Sequence, residues 1–148
     1  MTYEVSVTTK KTRDTSCAFF TFTGSPSTGN PLTPVLVGSS TNFTPTISSN
    51  DIQLPAGEYA LRFFGAITRT AADRNIVYQW KEVGGSVIGV KGATNREISP
   101  GTYPASLESA DAHLVLYSSG SVQVYIETAD AGVTLDTSNS HAVIWRVA

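Results

Sequence analysis

Ile52–Thr70 reads IQLPAGEYALRFFGAITRT and decides the fold class. Pro55-Ala56-Gly57 is a turn on its chemistry: proline presets φ, and glycine tolerates positive φ. The longest strand-like segment of the chain follows it, over Glu58–Thr70. Tyr59, Leu61, Phe63, Gly65 and Ile67 share one face at a period of two. Ala60, Arg62, Phe64, Ala66 and Thr68 share the other, and Phe64 and Ala66 make it partly apolar. A strand apolar on both faces is expected to be central, covered by a second sheet or by a neighbouring subunit.

The segments around it repeat the pattern in shorter form. Ala18–Thr23 (AFFTFT) is a strand by its aromatic and β-branched content, and Pro34–Val37 is a short apolar one. Gly24–Pro34 (GSPSTGNPLTP) reads as loop. Asn42–Ile47 is placed at an edge by Pro45. Asn75–Val83 alternates, with Ile76, Tyr78 and Trp80 on one side. Gly84-Gly85 is a two-residue hairpin signal, and Ser86–Lys91 returns from it. Ala71–Arg74, the irregular Gly92–Pro104 and Ser99-Pro100-Gly101 read as turns or loop, and Tyr103–Leu107 as extended. Ala112–Tyr117 is a strand, and Val122–Glu127 returns with Val122, Val124 and Ile126 inward. Thr128–Ser140 is a polar loop. His141–Val147 is the last strand and carries Val143, Trp145 and Val147 on one face. No amphipathic helix and no internal repeat is visible. About nine or ten short strands separated by turns predict an all-β, antiparallel two-sheet sandwich.

The length of 148 residues fits a single domain, here assigned to residues 17–148, preceded by an arm or edge strand over Met1–Ser16. Only 15% of residues are charged against about 25% in a typical domain, and serine and threonine fill the difference. A hydroxyl-rich, weakly charged surface suits broad contact with another protein, although β proteins use these residues heavily in any case. The net charge of −2 with no basic face argues against nucleic acid as a partner. The single cysteine, Cys17, excludes an intrachain disulfide and reads as a small core residue. No apolar run reaches membrane-spanning length, and Met1–Ser16 lacks the apolar region of a secretory signal. The expectation is a protein made in a cytoplasm, staying there unless carried out by other means, with no membrane partner.

Catalytic and metal-binding patterns are sparse. His113 and His141 make no HxH, HxxxH or HExxH spacing, and both read as structural or surface residues. Asp130 and Asp136 do not form the dense acidic loop that calcium requires. Glu58, Glu82, Glu97, Glu108 and Glu127 lack the supporting motif of a glycosidase pair. Tyr78, Trp80, Tyr117 and Tyr125 are candidates for sugar stacking, but read more simply as core or interface. No enzyme, cofactor or metal is expected.

The order of these motifs resembles the tumour necrosis factor-like (complement globular-head) jelly roll, most closely as found in small virion proteins of tailed bacteriophages, either capsid decoration proteins or fibre heads. The stretches that carry the resemblance are Leu54–Phe63, Asn75–Gly85, Val122–Glu127 and His141–Val147. It implies a jelly roll that assembles as a homotrimer through apolar faces of its inner sheets, with Tyr59, Leu61, Phe63, Tyr125 and Trp145 at the trimer interface. It also implies a binding or structural role without catalysis. With only Met1–Ser16 ahead of the first confident strand, the expected role is a trimeric decoration, or cement, protein on a phage capsid surface. Its partners would be itself and the major capsid protein. Tyr3, Val5, Val7, Lys10, Lys11 and Arg13 would form the capsid-binding arm. The alternative is a receptor- or carbohydrate-binding head of a phage tail or head fibre.

Overall fold

The computed structural model describes residues 16–69, 75–93, 108–136 and 139–147. Twelve strands run through them: β1 (Cys17–Thr23), β2 (Thr33–Ser39), β3 (Thr46–Ser48), β4 (Asp51–Leu54), β5 (Gly57–Phe64), β6 (Ile67–Arg69), β7 (Ile76–Glu82), β8 (Val87–Ala93), β9 (Ala110–Leu116), β10 (Gly120–Ala129), β11 (Val133–Leu135) and β12 (His141–Arg146). Ten of them form two antiparallel five-stranded layers, β2-β1-β12-β5-β9 and β8-β7-β10-β4-β3. The layers join at one corner, where β8 meets β9 through the single pair Val90–Asp111. The remaining two, β6 and β11, make a separate ribbon. The all-β, antiparallel jelly-roll sandwich expected from the sequence is the observed fold. The arm over Met1–Ser16 apart from Ser16 itself, the turns at Ala71–Arg74 and Ser99-Pro100-Gly101, and Tyr103–Leu107 lie outside the described residues.

Alternation decides which side chains meet between the layers. Phe20 and Phe22 of β1, Tyr59, Leu61 and Phe63 of β5, and Ile144 of β12 point inward from the first sheet. Tyr78 and Trp80 of β7 and Val122, Val124 and Ile126 of β10 point inward from the second. Phe63 makes two edge-to-face contacts, one with Phe22 of its own layer at 5.0 Å and one across to Tyr78 of the second layer at 4.8 Å. Such pairs contribute about 0.5–1.5 kcal/mol each beyond burial. The two polar aromatic tips are satisfied at the β8/β9 corner. Tyr78 donates its hydroxyl to the Glu108 carbonyl at 2.6 Å, and the Trp80 indole donates to the Ala110 carbonyl at 3.1 Å.

Glycine makes this corner. Gly89 has φ +73°, and a Cβ there would overlap the Asp111 carbonyl and lie 2.6 Å from Ala112 Cα. At Gly92 a Cβ would strike the Tyr78 ring and sit 2.7 Å from Ala110 N. Backbone stands behind both clashes, so neither is relieved by a rotamer change.

The structure corrects two expectations, on the long strand and on Cys17, and adds detail to others. The long strand Glu58–Thr70 is broken: β5 ends at Phe64, and β6 begins at Ile67 in the other ribbon. Ser140 Oγ accepts from Ala66 N at 2.9 Å and donates to the Ala66 carbonyl, which also accepts from Asp136 N, so the chain is pulled out of the sheet at Gly65-Ala66. Gly24–Pro34 is loop as far as Leu32, before β2 begins at Thr33, and it is tied to β10. Gly29 N donates to the Ile126 carbonyl at 2.8 Å, and Leu32 N to the Val124 carbonyl at 2.9 Å. This segment lines the edge of β10 beyond the short β4. Cys17 is half-buried on the outer face, beside Ser40, because inward Ala18 and Phe20 fix its parity. On β12 the inward residues are Ala142 and Ile144, so Val143, Trp145 and Val147 face outward. The two ends of the sandwich lie together, with Arg146 N donating to the Ser16 carbonyl at 2.8 Å.

Two measurements test the corner. Gly89→Ala is expected to cost about 3 kcal/mol in denaturant unfolding, from overpacking and a left-handed backbone. Burial pushes the Tyr78 hydroxyl up to about 12, with the Gly65 backbone bond opposing and the Glu108 charge adding to the rise. Its ionisation is thus easier in the unfolded chain, so stability is fully present below about pH 10 and declines from there towards pH 12. Tyr78→Phe should lower stability at pH 9 by about 1–2 kcal/mol and flatten the decline above pH 10.

Candidate functional site

The outer face of the β2-β1-β12-β5-β9 sheet is built by the register of its strands. One cross-strand row reads Cys17, Trp145, Ala60, His113, and the next reads Phe19, Val143, Arg62, Asp111. The face therefore has two halves. Over β2, β1 and β12 it is apolar: Phe19 is 49% exposed, Val37 64% and Val35 42%, with half-buried Val143 and Trp145 beside them. Over β5 and β9 it carries charge. Arg62 holds Asp111 in a two-pronged pair, Nε–Oδ1 at 2.8 Å and Nη2–Oδ2 at 3.3 Å. That hydrogen bond, with the Asp111 charge, raises the Arg62 guanidinium above its ordinary range. Glu58 Oε1 lies 2.7 Å from His113 Nε2. Val115 and Tyr117 continue β9 outward from this charged half, and Tyr117 is 96% exposed.

Of the five residues expected at a trimer interface, four are placed elsewhere. Tyr59, Leu61 and Phe63 are at most 2% exposed inside the protomer's own sandwich, so no second subunit can reach them. Tyr125 lies on the outer face of the opposite sheet, beneath Lys81 Nζ at 4.7 Å from its ring centroid. Trp145 alone belongs to the face described above. The residues that share it, Phe19, Val143, Val35 and Val37, have the opposite parity to the core. Their one signal in the sequence is the adjacent pair Phe19-Phe20, whose rings must point to opposite sides of a strand. Tyr3, Val5, Val7, Lys10, Lys11 and Arg13 lie outside the described residues.

The other candidate residues do not converge. Tyr78 and Trp80 are buried, while Tyr117 and Tyr125 lie on opposite sheets, so the four aromatics share no sugar platform. Asp130 accepts from Asn75 N at 2.8 Å, and Asp136 accepts from the Asn139 side chain, so both carboxylates brace loops. Glu127 pairs with Lys91 across β7. Glu97 lies outside the described residues. A hollow of about 210 Å³ lined by Gln53, Ser119, Gly120 and Ser121 carries hydroxyls and an amide but no titratable side chain. Among the described residues, no three His, Cys, Asp or Glu side chains group as metal ligands.

The division between inner and outer aromatics can be measured directly. Phe63→Ala is expected to cost about 3–5 kcal/mol of unfolding free energy. Phe19→Ser, on the exposed face, should cost the isolated protomer less than about 1 kcal/mol by the same denaturant titration.

No family model matches the chain, and no curated protein matches it in sequence. Solved structures do match. Murine APRIL, in its crystal structure at pH 5.0, superposes with a TM-score of 0.63 at 11% identity, covering 90% of this chain and 99% of that one. Eiger TNF from S. frugiperda superposes with a TM-score of 0.63 at 17% identity, covering 92% and 94%. Identities this low speak for the fold alone. The strand order, the corner between the sheets and these superpositions together make the chain a tumour necrosis factor-like jelly roll.

Proposed function

We propose that this protein is a non-enzymatic building or binding module that assembles as a homotrimer through the outer face of the β2-β1-β12-β5-β9 sheet. The observation that carries the reading is the apolar half of that face, with Phe19, Val35, Val37, Val143 and Trp145. Apolar side chains gathered on one flat sheet mark an association surface. Tumour necrosis factor-like folds commonly form homotrimers, and a threefold ring is a closed solution for a contact between two unlike halves of one face. Within this reading, the role we propose is decoration of a tailed-phage capsid, bound to the major capsid protein and clamping neighbouring shell subunits. Support comes from the low charge density and hydroxyl-rich composition, which leave few ionic groups to desolvate on a broad contact. Several weak contacts per trimer would add through multivalency.

Sedimentation tests both levels. The chain should run at three times 15.7 kDa, and Phe19→Asp should reduce it to a folded monomer. The trimer should co-sediment with empty tailed-phage shells at a stoichiometry matching threefold positions, and removal of residues 1–15 should release it. A monomeric wild type would overturn the assembly. A trimer that ignores shells and binds host glycans would replace decoration with the receptor-binding role.

A further inference from the structure

We propose that the association face carries its own pH switch, in which the Glu58–His113 pair favours assembly when the imidazole is protonated and opposes it when the imidazole is neutral. It rests on the self-association proposed for this face, and names how that association is regulated.

The charge inventory of the face is short. Among the described residues, β5 presents Glu58 and Arg62, and β9 presents Asp111 and His113. On β12, His141 lies at the far end, stacked on Phe64. Arg146 turns the other way, to the Ala56 carbonyl at 2.9 Å. β1 contributes no charge. On β8, next to β9, Lys91 is held by Glu127 of the second sheet. Arg62 and Asp111 cancel each other throughout the neutral range, with Ser109 Oγ also donating to Asp111 at 3.2 Å. Among the described residues, Glu58 is left with one balancing group, the imidazole 2.7 Å away.

In the protomer both members of that pair are water-accessible, and solvent can compensate Glu58 whatever the state of His113. Assembly removes the water. A carboxylate buried beside an imidazolium is an ion pair, whereas one buried beside a neutral imidazole keeps a hydrogen bond but no countercharge, and a buried uncompensated charge is strongly unfavourable. With three copies around an axis, the choice is between no net charge on the apposed faces and one negative charge from each. Imidazoles exchange their proton between about pH 5 and 8. Assembly thus takes up protons. Its constant is highest below this range and falls as pH rises through it, by at most about a thousandfold per pH unit for one proton per subunit.

The test is the trimer–monomer equilibrium of the intact chain, measured by sedimentation at constant ionic strength at pH 5.5, 6.5 and 7.5. The concentration at half-dissociation should rise at least about tenfold from the lowest pH to the highest, as expected for linked proton uptake. Glu58→Gln removes the charge that needs compensation, so it should stay assembled at pH 7.5 as firmly as at pH 5.5. His113→Gln should dissociate more readily at pH 5.5 and lose the slope. Circular dichroism checks that both variants, changed on the surface, retain the fold. A flat wild-type profile, or a slope retained in Glu58→Gln, would overturn the switch while leaving the assembly face intact. A Phe19→Asp variant that remains trimeric would instead overturn the face.

Discussion

The structure depends on the close approach of β8 to β9, where one sheet becomes the other. Among the described residues, one strand pair and a backbone bond from Glu108 N to the Ala93 carbonyl at 3.0 Å join them, so the corner is not held by a long ladder of backbone bonds. It is held from inside. Tyr78 and Trp80 reach across the sandwich from β7 and donate to carbonyls at the start of β9. Those bonds let two large rings fill the core without stranding a polar atom. Gly89 and Gly92 bring the backbones near enough for the bonds to form. Both parts serve the same contact, in which Tyr78 packs edge-to-face on Phe63 of the facing layer.

That inner face decides where function can lie. By burying Tyr59, Leu61 and Phe63 in its own core, each protomer becomes self-sufficient, and its opposite face becomes the surface on offer. The two halves of that surface differ in kind. The β1–β12 half offers area without charge. The β5–β9 half offers paired charges whose balance can change. In the self-association proposed for this face, apolar area would set how strongly copies hold one another, and the charged half would set orientation and conditions.

Much of this architecture is legible in the sequence because β patterning is local. Val122, Val124 and Ile126 alternate with polar neighbours, and Gly84-Gly85 announces its hairpin. The alternation is realised in β10, and the hairpin joins β7 to β8, though its loop runs over Val83–Ser86 rather than two residues. Other features were not legible, for physical reasons. Period-two alternation sorts side chains into two faces but does not say which face is inward when both are apolar, so Tyr59, Leu61 and Phe63 read equally well as core or interface. The break at Gly65-Ala66 is imposed by Ser140, and the stitching of Gly29–Leu32 to β10 by carbonyls at Val124 and Ile126. Each partner is far away in the chain, and no local propensity encodes it. The candidate face escaped for the same reason: its residues come from five strands and become neighbours only through register.

The bond between Arg146 and Ser16 has a geometric corollary. The chain enters and leaves the sandwich at neighbouring points on one pole, the pole that also carries the Pro55-Ala56 turn. The sandwich is therefore directional: Ser16 and Arg146 lie at one pole, while the β6–β11 ribbon lies towards the other end. In the trimer proposed above, the three copies of this pole would then share one side of the ring.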